Sequence, residues 1–163
     1  MRENNRERRM RKMKLAIALS ERADLQRRIS EINTRLNRNA KVQEGEVPSE
    51  EPASLLQELD DCLTRLETLI VRINRTNQAT IRDERSIADR IAERDCLRQR
   101  IQIMRDFLGA ASDKVDRYSK TEIIIHSTVD VAALQKEIDN YSGTLRKLEE
   151  TIQELNWTTE LME

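Results

Sequence analysis

The stretch PASLLQELDDCLTRLETLIVRINRTNQ, from Pro52 to Gln78, predicts a long helix with a leucine-rich seam. Its apolar residues recur at alternating steps of three and four, the spacing that keeps side chains on one helix face. Pro52 suits the first turn because its missing N–H would have no partner there. The predicted seam comprises Leu56, Leu59, Leu63, Leu66, Ile70, Ile73 and Asn77.

Three further segments carry seams of the same spacing. The first seam comprises Leu15, Ala18, Arg22, Leu25, Ile29, Ile32 and Leu36. The third comprises Ile87, Arg90, Arg94, Leu97, Ile101, Met104, Leu108, Ala111 and Val115. The fourth comprises Val131, Leu134, Ile138, Tyr141, Leu145, Leu148, Ile152 and Leu155. Together the four seams predict helices at 13–39, 53–78, 87–115 and 130–160.

The composition and the seams favour one fold class. Aromatic residues make up 2% of the chain, and 3 Gly and 2 Pro leave little turn chemistry for a sandwich or barrel. Regular Leu and Ile seams with short connections favour antiparallel helix neighbours. We therefore expect an all-α fold, an elongated antiparallel four-helix bundle.

The sequence also contains an internal repeat. ERADLQRRI (21–29) matches ERDCLRQRI (93–101), and LETLIVRINRTN (66–77) matches LEETIQELNWTT (148–159). These matches predict that the bundle is built from two related helical hairpins. The β-branched residues in AKVQEGE (40–46) and TEIIIHST (121–128) can pair as a short two-stranded ribbon in the connecting loops.

Residues 1–12, MRENNRERRMRK, carry six basic and two acidic side chains. They are interpreted either as a basic disordered arm that binds anions or as a non-native extension before a start at Met13. Residues 13–163 are expected to form a single helical domain. Cys62 and Cys96 have no CxxC spacing, and no apolar run is long enough to span a membrane. These features predict a cytoplasmic protein that does not bind a membrane.

Four segments resemble the septicolysin-like family of small bacterial proteins. They are MKLAIALSERADLQ (13–26), NAKVQEGEVP (39–48), DRYSKTEIIIHSTVDVAALQ (116–135) and ELNWTTEL (154–161). The resemblance implies an all-helical fold and a bacterial source, and most members of that family have no known function. The family label suggests membrane attack, but the chain has no apolar hairpin or Trp-rich loop to insert.

A candidate polar cluster occurs twice in the repeat, around Arg22 and Arg94, which occupy equivalent seam positions. It comprises Glu21, Arg22 and Asp24 in the first helix and Glu93, Arg94 and Asp95 in the third. A charged residue on a seam lowers stability unless it is paired, so these groups either fix register and bind a small anion or pair at the surface.

A candidate interaction surface lies in the second half of the chain. It comprises Tyr118, His126, Asn156 and Trp157. Glu122 and Asp130 flank His126 at four residues on either side, but there is no second soft ligand, so no metal, cofactor or catalytic role is expected. Asn156 is expected to cap its helix, and Trp157 is expected to anchor the last turn.

The sequence favours a non-catalytic helical scaffold that forms a homo-oligomer and binds a protein partner. Because a strict seam is narrow, further apolar surface is expected to be buried between protomers. Two alternatives stay open. One is a nucleic-acid-binding protein that uses Arg-rich helix faces, such as Arg94, Arg98, Arg100 and Arg105. Interspersed acids and the lack of stacking aromatics disfavour it. The other is a small-anion binder or enzyme that uses the duplicated Glu-Arg clusters.

Overall fold

A computed structural model of the chain describes residues 13–112 and 126–163, and it is mostly helical. The all-α class is therefore confirmed. The arm at 1–12, Tyr118 and residues 121–125 of the expected ribbon lie outside the described residues. The helices are α1 (Leu15–Arg38), α2 (Pro52–Ala79), α3 (Ile87–Ser112) and α4 (Val131–Thr158).

The chain divides into two compact units. Unit 1 contains the described residues up to Ile87 together with those from Glu154 onward, and unit 2 contains Ala88–Gln153. Helix α3 thus enters unit 2 after its first residue, and α4 brings the chain back to unit 1 for its last turn.

In unit 1, α1 and α2 pack as an antiparallel hairpin, but α2 does not bury the face that its sequence predicts. The side chains that α2 buries are Leu55, Cys62, Leu69, Ile73 and Thr76. Of the predicted seam only Ile73 is among them, while Leu56 is 55% exposed and Leu63 is 45% exposed. The other four buried residues each directly precede a seam residue, and one residue along a helix corresponds to about 100° of rotation. The helix was predicted correctly, but the prediction of its buried face was wrong.

A two-stranded antiparallel ribbon connects α2 to α3. Its strands are β1 (Ile81–Arg82) and β2 (Arg85–Ser86). The turn between them places Asp83 at φ 50° and Glu84 at φ 62°, the left-handed conformation at both central positions that a type I′ turn requires. The protein therefore has a short two-stranded ribbon in a connecting loop, but not between the predicted segments, since residues 40–46 form no strand.

In unit 2, α3 and α4 also run antiparallel, because residues late in α3 contact residues early in α4. Arg98 contacts Glu149, whereas Arg105 contacts Ser142. The small apolar core between the two helices comprises Ile101, Ile138, Leu148 and Ile152.

The helix ends confirm the expectation for Pro52 and contradict the one for Asn156. Pro52 stands in the first turn of α2 as predicted. Asp130 caps α4, since its Oδ1 accepts hydrogen bonds from the Ala132 N–H at 2.9 Å and the Ala133 N–H at 3.0 Å. Asn156 is not a cap, because α4 continues to Thr158.

Candidate functional site

In unit 1 the first half of the predicted polar cluster separates into individual pairs. Glu21 accepts a hydrogen bond from Arg65 of α2 at 2.8 Å, and Asp24 pairs with Arg27 on its own helix. Arg22 is half-buried, and its Nε has no hydrogen-bond partner among the described residues. These residues therefore link α1 to α2 and do not form a closed carboxylate site around Arg22.

In unit 2 the second half of the cluster is also a set of local contacts. Arg94 donates to the carboxylate of the adjacent Asp95 at 2.8 Å. Glu93 is half-buried in the second turn of α3. The two halves of the predicted cluster therefore belong to different units.

A ladder of ion pairs between α1 and the segment that begins α2 was missed by sequence reasoning. Arg28 donates to Glu58 at 2.9 Å, and Arg35 donates to Glu50 at 3.0 Å and to Glu58 at 3.3 Å. The hydrogen bond from Arg35 lowers the pKa of Glu50, and the one from Arg28 lowers the pKa of Glu58. Both carboxylates are therefore held in their charged form.

The C-terminal segment closes unit 1 against the start of α1. The Leu15 N–H donates to the Thr159 carbonyl at 3.0 Å, and the Leu161 N–H donates to the Met13 carbonyl at 2.7 Å. On the α2 side, the Met162 N–H donates to the hydroxyl of Thr76 at 2.9 Å. We call residues 159–162 the C-terminal clasp; they bridge the beginning of α1 and the end of α2.

The candidate interaction surface is only partly exposed. Trp157 is 62% exposed, so it does not anchor the last turn of α4. Leu155 is buried in that turn, and Leu161 is buried just after the helix ends. His126 is exposed in the segment before α4, and Asn156 is half-buried. The carboxylate of Asp130 serves as the helix cap described above. Tyr118 lies outside the described residues.

The most extensive exposed apolar feature of α2 is the seam that its core does not use. We call Leu56, Leu59, Leu63, Leu66 and Ile70 the leucine stripe. Its two exposed leucines stand one heptad apart, and its other members are half-buried. Asp60 and Glu67 are exposed beside it, each four residues after one of those leucines.

In unit 2 three arginines of α3 contact α4, and one of them pairs there with a carboxylate. Arg98 pairs with Glu149 at 2.9 Å, whereas Arg100 donates to the Tyr141 hydroxyl at 3.1 Å and lies 5.0 Å from the centre of that ring. Among the described residues, Arg105 reaches only the hydroxyl of Ser142, at 3.4 Å.

Neither a metal site nor a membrane-spanning helix is found in the part of the chain that the structure describes. No cluster of three or more His, Cys, Asp or Glu side chains there could hold a metal ion. None of the described helices is both long enough and apolar enough to cross a membrane.

The comparisons with known proteins place the chain in a family. Residues 22–161 match the model of a family of unknown function, DUF6847, and the chain belongs to that family. The chain is also similar to a functionally unknown conserved protein from Corynebacterium diphtheriae whose crystal structure is known. That similarity has 40% sequence identity and a TM-score of 0.87, and it covers 92% of this chain and 99% of the other. No curated protein gives a significant match.

Proposed function

We propose that the protein is a non-catalytic helical scaffold that self-associates through the leucine stripe of α2 and binds a protein partner. The observation that carries the proposal is the exposure of Leu56 and Leu63 on a helix whose core contacts are made by a neighbouring face. Removing such apolar surface from water favours association by about 25 cal/mol per Å².

A second copy of the chain fits this surface. The stripe has the three-and-four spacing that lets one helix insert its side chains between those of another. Twofold pairing is the commonest form of self-association and brings the same patch of both copies together. The stripe extends over about 21 Å of helix, which is four turns. One elongated bundle formed by all four helices remains part of the same proposal.

Self-association is tested by light scattering and sedimentation velocity of the full chain across micromolar concentrations. We expect the mass to exceed the 19.1 kDa of one chain and to fall on dilution. Replacing Leu56 and Leu63 by Gln should give a monomer. Val47→Gln is the matched control, because Val47 is 84% exposed but lies in a loop. A wild-type protein that is monomeric at 100 μM would reject the proposal.

Salt tests the geometry of pairing. In a twofold α2 pair, Asp60 and Glu67 of both copies lie beside the same contact and repel each other. Salt screens exposed charges, so association should strengthen between 50 and 500 mM NaCl. Weakening over the same range would contradict pairing of α2 with α2.

A separate apolar surface in unit 1 supports binding of a protein partner. Trp157 and Ile81 are 62% and 61% exposed, and an ion pair of 2.9 Å between Arg82 and Glu154 links the parts of the chain that carry them. Exposed Trp residues are frequent anchors of protein interfaces. Affinity capture from the native host should recover a partner that Trp157→Ala loses. Phe107→Ala, an exposed aromatic in unit 2, is the control. Equal capture by wild type and Trp157→Ala would exclude this surface.

A further inference from the structure

Unit 2 contains a groove between α3 and α4 with a volume of about 390 Å³. Arg98 and Arg105 reach it from α3, and Ser142, Arg146 and Glu149 reach it from α4. Its apolar lining comes from Ile101, which is buried, and from the half-buried Leu145. The volume lies within the range of about 300 to 1,000 Å³ that is usual for small-molecule sites.

Helical register places these polar groups together. Arg98 and Arg105 are one heptad apart, as are Ser142 and Glu149, so each pair shares one face of its helix. Arg146 lies four residues after Ser142 on the same face. Three guanidinium groups therefore converge on one groove because of helix geometry.

The positive charge of the groove is not neutralised within it. Its lining includes three arginines and one carboxylate, a balance of +2. Glu149 is occupied by Arg98. Arg105 has only the 3.4 Å contact to Ser142, and Arg146 has no partner among the residues that the structure describes. Two guanidinium groups thus retain free donors.

A groove in unit 1 shows the alternative arrangement. Three arginines and three acids line it, so its charges balance: Asp24, Arg27, Arg28, Glu31, Arg35 and Glu58. Each of these arginines is ion-paired with a carboxylate. The neutral groove stabilises its hairpin, whereas the groove of unit 2 has charge left for a ligand.

We propose that the groove between α3 and α4 binds a phosphorylated small molecule through Arg98, Arg105 and Arg146. Guanidinium groups bind phosphoryl oxygens with paired hydrogen bonds, and the Ser142 hydroxyl can donate a further one. A phosphate or diphosphate group carries about two negative charges, which would neutralise the +2 balance of the groove. Ile101 and Leu145 would contact the organic part of the ligand. This site is independent of self-association through the leucine stripe.

The test uses the full-length protein and inorganic pyrophosphate, titrated by calorimetry in 50 mM NaCl. We expect saturable one-site binding, which inorganic phosphate competes for more weakly. Arg105→Gln combined with Arg146→Gln should weaken binding at least tenfold. Arg27→Gln is the matched control, since it removes an exposed arginine of the neutral groove in unit 1 and should leave affinity unchanged.

Three results would overturn the proposal. These are absence of binding by the wild type up to 10 mM pyrophosphate, equal affinity in the double variant, and an equal loss in Arg27→Gln. Circular dichroism must show that the variants remain folded, which is expected because Arg105 and Arg146 are exposed.

A further titration uses a 12-nucleotide single-stranded RNA. If the RNA binds more than tenfold tighter than pyrophosphate and shows a steep salt dependence, the ligand is nucleic acid and the small-molecule proposal is wrong.

Discussion

The α1–α2 hairpin and the α3–α4 hairpin use arginine in different ways. In the first, Arg28, Arg35 and Arg65 each contact a glutamate across the hairpin. In the second, Arg98 does so, while Arg105 faces a hydroxyl. The same residue type closes one hairpin on itself and leaves the other with unfilled hydrogen-bond donors. Arginine content alone therefore does not identify a binding face, since the carboxylates opposite decide whether charge is left over.

The largest expected effect tests whether the ion pairs or the core hold the first hairpin together. Leu69 is 1% exposed, so Leu69→Ala should cost about 2–5 kcal/mol of unfolding free energy by urea titration. Leu63→Ala on the same helix should cost less than about 1 kcal/mol at concentrations where the protein is a monomer, because Leu63 is 45% exposed. The one Trp, Trp157, lies in unit 1, so its fluorescence reports on that unit.

Arg28→Gln combined with Arg65→Gln gives the corresponding loss of ion pairs. Exposed ion pairs contribute little, so this variant should be destabilised less than Leu69→Ala. A larger loss than in Leu69→Ala would show that the arginines, and not the core, hold the hairpin together.

The second prediction concerns the C-terminal clasp, which belongs to unit 1. Thr76 is fully buried, and Thr76→Val keeps its shape but leaves the Met162 N–H without its acceptor. Losing this part-buried hydrogen bond should cost about 0.5–1.5 kcal/mol. Thr68→Val is the matched control, because Thr68 is exposed and its hydroxyl also bonds to the carbonyl four residues earlier. Equal unfolding free energies for the two variants would mean that the clasp does not stabilise unit 1.

A smaller effect of opposite sign is expected at the ribbon between α2 and α3. Glu84 has φ 62°, a conformation that is unfavourable for residues with a Cβ. Glu84→Gly should stabilise the protein by about 1 kcal/mol in the same urea titration. Ala92→Gly, at an exposed position inside α3, is the control and should destabilise by a similar amount. Destabilisation by Glu84→Gly would contradict the type I′ turn.

The smallest effect is a pH dependence specific to the first hairpin. A carboxyl whose pKa is lowered by folding stabilises the protein above its unfolded value, about 4.3 for Glu, and loses that contribution as pH falls through the folded value. Glu50 and Glu58 have lowered pKa values because Arg35 and Arg28 donate to them. Urea titrations at neutral pH and in acid should therefore show a loss of stability in acid. The loss should be smaller in Arg35→Gln than in Arg146→Gln, the control variant in unit 2. Equal losses in the two variants would show that the ion pairs do not cause the pH dependence.

Sequence periodicity predicts the four helices and the all-α class, but it is ambiguous about the buried face of α2. This helix carries apolar residues in adjacent pairs, such as Cys62 with Leu63 and Leu69 with Ile70. Either member of each pair gives a regular stripe, and only the position of α1 decides between them. The ion-pair ladder was missed because surface Arg and Glu are abundant and their contacts depend on the register of two helices. The internal duplication and the septicolysin-like resemblance remain predictions from the sequence.

The groove between α3 and α4 shows the same limit of sequence periodicity. Arg98 and Arg105 were noted as part of an Arg-rich face, but Arg146 and Ser142 lie on another helix across a long connection. Their convergence depends on how α3 and α4 align, which spacing within one helix cannot give. Sequence reasoning identified the arginines but not the residues opposite them.

The C-terminal clasp determines when unit 1 can be completed during synthesis of the chain. The Leu161 N–H donates to the carbonyl of Met13. This hydrogen bond can form only after Leu161 has been translated, near the end of synthesis. On the ribosome, α1 and α2 emerge early, yet unit 1 is complete only after all of unit 2 has been synthesised. Until then the nascent first hairpin lacks the clasp, whereas both sides of its ion-pair ladder, which lie within residues 28–58, have already been made.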